Sequence, residues 1–473
     1  MSTQLIIILV YIAVTVIIGL WSMKKMTGSD AFHGAGLGVI ACVAAGTGEW
    51  LGGTSTIGVA QYGFTSGLSG SWYTIANGIG IMFLALFFAR RYRSMNQITV
   101  PGLIETFIGG KGPRVVAAVI LTFVMIVVGA AQIIAAGSLG VTVLGIPFTL
   151  SCIVLGIAFI VYTLAGGMRA VASTNILHLI AMYGGVIIAL FLLRSDLGGS
   201  FTPLYTSLPA FPYWSWFGIG VPKVTSWIIA SVLGACTAQA GIQPLLAAKD
   251  IPTARTSAII TACIVAPFGI FTCLLGMAAK VKYPAIAAKL AMPTMLMHME
   301  PIAGGIVLAS ILAAVLSTIS PIILAAGTMV TKDIYQRVFR PNATDKQVFL
   351  FSRVMTAIAG VLTIVIAMLP NIKILDLVYF AYTLRGSIFV IILFAIYWKS
   401  TSRQGCVWGM IATAIAGFGW VLYNVKFGHF PIHPEFNETY AALIVATVAT
   451  PLLSLVFKKT DVENKFKADI LKS

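Results

Sequence analysis

The sequence predicts an all-α integral membrane protein with about thirteen transmembrane helices, and three observations carry that prediction. First, 59% of the 473 residues are hydrophobic and only 9% are charged, with a mean hydropathy of +0.98. A soluble chain of this size needs far more charge to cover its surface. Second, thirteen apolar runs are long enough for a bilayer core of about 30 Å. They lie at residues 3–22, 36–63, 71–89, 115–143, 148–167, 172–193, 225–243, 257–279, 299–329, 349–369, 374–397, 405–423 and 439–457. Lipid-facing backbone must satisfy its hydrogen bonds internally, so runs of this length are helices. Third, alternating the runs from an outside N-terminus sorts the charges. Segments predicted to be cytoplasmic, with Arg353 at the mouth of its run, hold 22 of the 30 lysines and arginines; the external ones hold 7. Arg385 alone lies within a run.

The first run, "LIIILVYIAVTVIIGLW", has no basic residue before it and Lys24-Lys25 directly after it. A secretory signal has the reverse polarity, so we expect a permanent anchor in the cell membrane, N-terminus outside and C-terminus cytoplasmic. That topology and the acid-poor helices account for the net charge of +16 without nucleic acid. Cys42, Cys152, Cys236, Cys263, Cys273 and Cys406 lie in or beside runs with no CxxC spacing, and read as small apolar helix residues. His33, His178, His298, His429 and His433 form no ligand pair, and no phosphate or nucleotide motif occurs. No polar segment is long enough to fold separately, so residues 1–473 read as one transmembrane unit that is not an enzyme. The longest breaks are 194–224, 280–298 and 330–348. The aromatic cluster Phe211, Tyr213, Trp214, Trp216 and Phe217 is expected at the outer interface. A gate over a binding site is the alternative.

The second run contains "GTGEWLGGTSTIG" (46–58), and eight glycines occur between Gly46 and Gly70. Glycine costs about 1 kcal/mol relative to alanine inside a helix. Close packing through small residues explains Gly52, Gly53 and Gly58. It does not explain Glu49, an acid at bilayer depth. A helix broken near 48–52 would free carbonyls for a cation and let Glu49 face a wet cavity, as in secondary transporters. The seventh run offers a second break, with Gly234 and Gly241 flanking Gln239 and with Pro244 beyond. Runs two and seven stand five apart and would open two five-helix halves of opposite orientation.

The ninth run places Ala314, Ser317 and Thr318 at i, i+3 and i+4, on one helix face. Such hydroxyls often just back-bond to their own helix. Pro321, however, has no N–H for the Ser317 carbonyl, so hydroxyls and free carbonyls share a face that suits a hard cation.

Several stretches together resemble the sodium:solute symporter family. "AAVLSTISPIILAAGTMVTKDIY" (313–335) resembles its eighth core helix, and "YTLAGGMRAVASTNILHLI" (162–180) its fourth-to-fifth core turn. "AQAGIQPLLAAKD" (238–250) and "YWKSTSRQGCVWGM" (397–410) are similar to its sixth core helix and the turn after its tenth. The resemblance implies a leucine-transporter-type five-plus-five inverted repeat over 36–397, an extra helix within 1–35 and two more helices in 398–473. It also implies a sodium site from the Gly48, Leu51 and Ala314 carbonyls and the Ser317 and Thr318 hydroxyls. The family's acid after Trp-Thr is Asn175 here, its sixth-helix Asn and Arg are Ala238 and Pro244, and Ser320-Pro321 stands where some members hold a second sodium.

The expected function is sodium-coupled import of a small organic solute by alternating access. A membrane sensor on a transporter fold, a channel, or a symporter of a neutral sugar-like solute are the alternatives. Glu49, Trp50, Gly52, Gln239 and Arg385 are the expected solute contacts. Arg385, near the middle of its run, is too deep to snorkel. Either it neutralises Glu49 for structural reasons, or its planar fork binds a solute carboxylate. The second case points to an amino acid or monocarboxylate.

Overall fold

The computed structural model describes residues 3–23, 36–369 and 373–459, without the side chains of 16, 19–23 and 165–173. Among these residues the regular secondary structure is helical apart from one isolated bridge, Leu37 with Ala248. Ten helices are long and apolar enough to cross a membrane, and three shorter apolar helices lie at Thr3–Thr15, Val39–Trp50 and Phe148–Leu164. Together they account for every run read from the hydropathy.

The extra helix α1 (Thr3–Met23) precedes the core. The first core helix comes in two pieces, α2 (Val39–Trp50) and α3 (Val59–Ser66), joined through a wider-pitched turn at Thr54–Gly58. It is followed by α4 (Trp72–Phe83), α5 (Ala89–Ser94) and a short helix α6 (Val100–Ile108) that hydropathy did not predict. Local capping makes α6: the Thr99 side chain accepts from the Gly102 N–H, and Pro101 sits in the first turn. The long α7 (Lys111–Leu144) leads to α8 (Phe148–Asp196).

The runs expected at 148–167 and 172–193 thus form one helical stretch of 49 residues. It is about 73 Å long at 1.5 Å per residue, more than twice a bilayer core. Its two ends lie on the same side of the molecule: Lys289 sits over the Phe148 ring, and Asp196 pairs with Lys282 at 2.8 Å. Residues 148–164 and 174–196 are therefore two arms, as the hydropathy expected.

The second half repeats the plan. The sixth core helix is broken into α9 (Val221–Ala235) and α10 (Gln239–Leu246), followed by α11 (Ile251–Lys282). Then come α12 (Pro301–Met329), α13 (Asp345–Ala367) and α14 (Ile374–Tyr397), with α15 (Arg403–Phe427) and α16 (Glu438–Val456) after the core. Small residues let these helices approach. A Cβ on Gly276 would lie 2.1 Å from the Ala60 carbonyl oxygen, which presses α11 against α3. The α12 helix is buried from Val307 through Met329, the position expected of a helix at the centre of the bundle.

Candidate functional site

The first break falls at Leu51–Gly52, at the C-terminal edge of the stretch expected from sequence. Helix α2 runs through Gly46 and Gly48 to Trp50, and Leu51 caps it at φ −106°, ψ 73°. The last four carbonyls of a helix have no partner within it, and Gly48 is among them. Its oxygen accepts from the Ser317 hydroxyl at 3.2 Å and from the Thr318 hydroxyl, both on α12. Ser317 also donates to the Ala314 carbonyl at 2.9 Å. Thr318 turns to the neighbouring helix instead of back-bonding to its own. Gly48, Ala314, Ser317 and Thr318 are thereby brought together, while Leu51 is placed beside them as the cap.

This approach depends on glycine. A Cβ on Gly48 would sit 2.4 Å from the Asn175 amide nitrogen, and one on Gly52 would sit 2.3 Å from the Thr318 hydroxyl oxygen. Asn175 donates to the Ser317 carbonyl at 3.5 Å, the carbonyl that Pro321 leaves without a helical donor. Its own Oδ1 is buried without a hydrogen-bond partner, as are the hydroxyls of Thr47 and Ser320. Sequence reasoning missed Gln132. Its Oε1 accepts from the Gly53 N–H at 2.7 Å and its Nε2 donates to the Thr54 hydroxyl at 2.6 Å, so α7 caps the second piece of the broken helix. The available signal was a lone amide in the apolar stretch "VGAAQIIAAG".

Beside this cluster, Arg385 on α14 is fully buried. Its guanidinium carbon lies 3.5 Å from the Tyr382 ring centre and 5.1 Å from that of Trp50. Among the described residues, none of its three guanidinium nitrogens has a hydrogen-bond partner and no carboxylate lies within ion-pair distance. Glu49 is buried nearby with its Oε2 unpartnered. The direct Glu49–Arg385 ion pair, one of the two readings of these residues, does not form. Trp50 packs on the Gly241 backbone and edge-on to Tyr382, whose ring lies against Tyr73. Gln239, expected among the solute contacts, faces elsewhere. Its Oε1 accepts from the Val100 N–H at 2.7 Å and its Nε2 donates to the Ile98 carbonyl at 3.3 Å. Both ends of the amide thus hold the segment before α6.

Polar clusters close the two ends of this axis. On the side carrying most lysines and arginines, Arg114 bridges Asp333 (2.6 Å) and Glu105 (2.8 Å), and Arg337 binds Glu105 at 2.6 Å. On the opposite side Lys223 pairs with Asp376 at 3.2 Å, and Tyr62 donates to the same carboxylate. These contacts join α9, α14 and α3. The aromatic cluster lies on this side too. Phe211, Trp216 and Phe217 are exposed, while Tyr213 is buried against Gly67, just beyond α3. The cluster is thus partly exposed and partly a cover over the end of the first core helix.

Two interrupted helices at mid-bundle, one with converging hydroxyls and carbonyls and a bare guanidinium beside it, define a secondary transporter of the inverted-repeat class. The chain belongs to the sodium:solute symporter family, whose model matches residues 32–413. It is 27% identical over 476 residues to the osmoregulated proline transporter OpuE of Bacillus subtilis (strain 168), covering 95% of this chain and 96% of that one. It is also 27% identical to the sodium/proline symporter of Staphylococcus aureus (strain JH9), over 96% of this chain and 93% of the relative. Among solved structures, a Na+-coupled sialic acid symporter superposes with a TM-score of 0.80 at 18% identity, over 97% and 99% of the two chains. MhsT in complex with L-phenylalanine superposes with a TM-score of 0.58 at 16% identity, over 89% and 99%. The architecture is the leucine-transporter-type five-plus-five repeat, and the protein is a multi-pass sodium-coupled symporter of a small organic solute.

Proposed function

We propose that the solute carries a carboxylate, as an amino acid or small monocarboxylate does, and that Arg385 receives it. The bare guanidinium carries this reading. A fully buried charge without an ion pair or hydrogen bond costs several kcal/mol, and a planar fork matches a carboxylate bidentately. Trp50 and Tyr382 flank the fork and would give the solute an aromatic wall. Glu49 would face a solute ammonium or lend its charge to the sodium site. Proline, the solute named for both relatives, has a carboxylate and an ammonium and is the first to test.

In this reading sodium is held by the carbonyls of Gly48, Leu51 and Ala314 and the hydroxyls of Ser317 and Thr318, five oxygens that suit a small hard cation. No carboxylate belongs to that set, and Asn175 and Pro321 occupy positions that would have to supply a second ion, so one sodium accompanies each solute. The N-terminus lies outside and the C-terminus in the cytoplasm, following the asymmetry of basic residues.

The test is sodium-driven uptake of labelled proline into proteoliposomes, competed with other amino acids, monocarboxylates, sugars and nucleosides. Arg385→Lys keeps the charge and loses the fork, so solute affinity should fall about ten-fold or more, with sodium dependence and folding retained. Normal transport by that variant, or competition by uncharged solutes alone, would sink the carboxylate assignment.

A further inference from the structure

Asn77, in the stretch "WYTIANGIGIMF" of α4, is fully buried, and neither its Oδ1 nor its Nδ2 has a hydrogen-bond partner among the described residues. A buried amide normally bonds at both ends, as those of Gln132 and Gln239 do here.

Helix geometry gives the direction in which Asn77 points. Successive residues step by about 100°, so Asn77 lies between Tyr73 and Thr74, about 40° from the first and about 60° from the second. Tyr73 faces α14, its hydroxyl 3.0 Å from that of Tyr382. Thr74 faces α11 and donates to the Ala266 carbonyl at 3.0 Å. Asn77 therefore points between α11 and α14, toward the first core helix. That helix touches both, since Tyr62 donates to Asp376 of α14 and Gly63 abuts the Cys273 backbone of α11.

The same contacts give its depth. Along α11, Gly46 abuts Thr261, and Thr272 donates to the Ser55 carbonyl at 2.7 Å. Between those two contacts α11 meets α4, with Thr74 on Ala266 and Gly78 on Ala262 and Ala266. Asn77 is thus level with residues 46–55, the stretch that holds Glu49, Trp50 and the break. Against α14, both Asn77 and Arg385 lie between the Tyr73–Tyr382 bond and the edge-on contact of Phe83 with Phe389 at 6.4 Å. The two side chains also share a neighbouring turn of α9, where Gly234 packs on Arg385 and Ala235 on Gly80.

Resting on the reading that Arg385 takes a solute carboxylate, we propose that Asn77 determines specificity. The solute carries, besides its carboxylate, a neutral group that both donates and accepts hydrogen bonds: a hydroxyl or a primary amide. The free donor and free acceptor of Asn77 select this class. An ammonium only donates and would leave Nδ2 unbonded, and an apolar ring would leave both ends unbonded. A site built to bond a polar group rejects the analogue lacking it much more strongly than it rejects a change of one methylene.

The test is solute binding to the purified full-length protein in saturating sodium, read by tryptophan fluorescence and thermal shift. Solutes are titrated as pairs differing in one group: proline and 4-hydroxyproline, norvaline and glutamine, butyrate and 3-hydroxybutyrate. In the tightest-binding pair the hydroxyl or amide partner should bind about ten-fold or more tighter. Asn77→Leu should lose most of that preference. Its Tm without solute should match or exceed that of the wild type, because an unbonded amide has been replaced by an apolar group of similar size. Asn77→Ala should lose the preference in the same way. Equal binding within every pair would overturn the proposal, as would a preference that both variants keep. A lower Tm for Asn77→Leu with the preference unchanged would overturn it too, assigning the amide to a structural water. Methyl esters of the same solutes separate this proposal from the one on which it rests. Weak esters with equal pairs would strike Asn77 and keep Arg385. Esters that bind as well as the acids while the pair preference persists would strike Arg385 and keep Asn77.

Discussion

The first core helix breaks at Leu51–Gly52 and the sixth at Cys236–Ala238, equivalent places in the two halves of the repeat, yet their freed groups go to different ends. At the second break, protein takes up the groups around the gap. Tyr92 donates to the Cys236 carbonyl at 2.9 Å, the Thr237 hydroxyl donates to the Arg385 carbonyl, and the Gln239 amide is spent on Ile98 and Val100. The chain just past α10 is tied down as well, since the Leu37 N–H donates to the Ala247 carbonyl and the Lys249 N–H to that of Leu37. At the first break the Gly48 carbonyl meets only hydroxyls, and polar atoms of Thr47, Glu49, Asn175 and Ser320 close by remain unpartnered. Buried polar groups without partners are costly, and they persist where a ligand supplies the missing bonds. In the reading proposed above, one break is an anchor and the other a receptor.

The largest effect that would break this comparison comes from Ser317→Ala with Thr318→Ala. Losing two hydroxyl ligands to a cation should raise the sodium concentration for half-maximal uptake by about ten-fold or more. Unchanged sodium dependence would remove the receptor role from the first break. Gly48→Ala probes the same point by steric means. Its Cβ must displace Asn175, costing about 1–3 kcal/mol of stability, and sodium affinity should fall with it; thermal shift and uptake together check both halves.

Gln239→Leu sharpens the contrast from the other side. It leaves the Val100 N–H without its acceptor, at a cost of about 1–3 kcal/mol, but should leave sodium and solute affinities of the folded protein within about two-fold. A large loss of solute affinity would return Gln239 to the solute site. Stoichiometry follows, with a sodium Hill coefficient of about one, since its ceiling is the number of sites. A coefficient near two, with a matching flux ratio, would place a second ion beside Asn175.

The smallest effect concerns the network at the basic face. Burial raises the Glu105 carboxyl, but hydrogen bonds from Arg337 and Arg114 outweigh it and hold the group below the usual carboxylate range. A depressed folded pKa adds stability that is in place above the unfolded value of about 4.3 and is lost as pH falls through the folded one. Wild-type Tm should therefore drop more steeply than that of Glu105→Gln below about pH 4.3. Parallel curves would show that the pair adds nothing to stability.

Much of this could be read from the chain alone because the signals are local. Hydropathy over twenty residues marks a span wherever its neighbours lie. Glycines in "GTGEWLGG" weaken their own helix, and the i, i+3, i+4 spacing of Ala314, Ser317 and Thr318 fixes a shared face without tertiary information. The position of α6 escaped because its nine residues are too few for a span and are set by a cap. The bonds of Gln239 to Ile98 and Val100 escaped because composition records an amide, not the direction in which it points.

By itself, then, the sequence determined the membrane class, thirteen crossings, two breaks five spans apart and the oxygen-rich face of α12, all properties of a segment and its own periodicity. Only the tertiary structure decided which orphaned groups find partners. It spends Gln132 on the Gly53 N–H and Gln239 on the segment before α6, sets Tyr62 and Lys223 on Asp376, and leaves the Arg385 fork bare between Trp50 and Tyr382. The physical reason is that a buried polar atom is satisfied or left wanting by whatever packs against it, and in a bundle those neighbours arrive from helices far away in the chain.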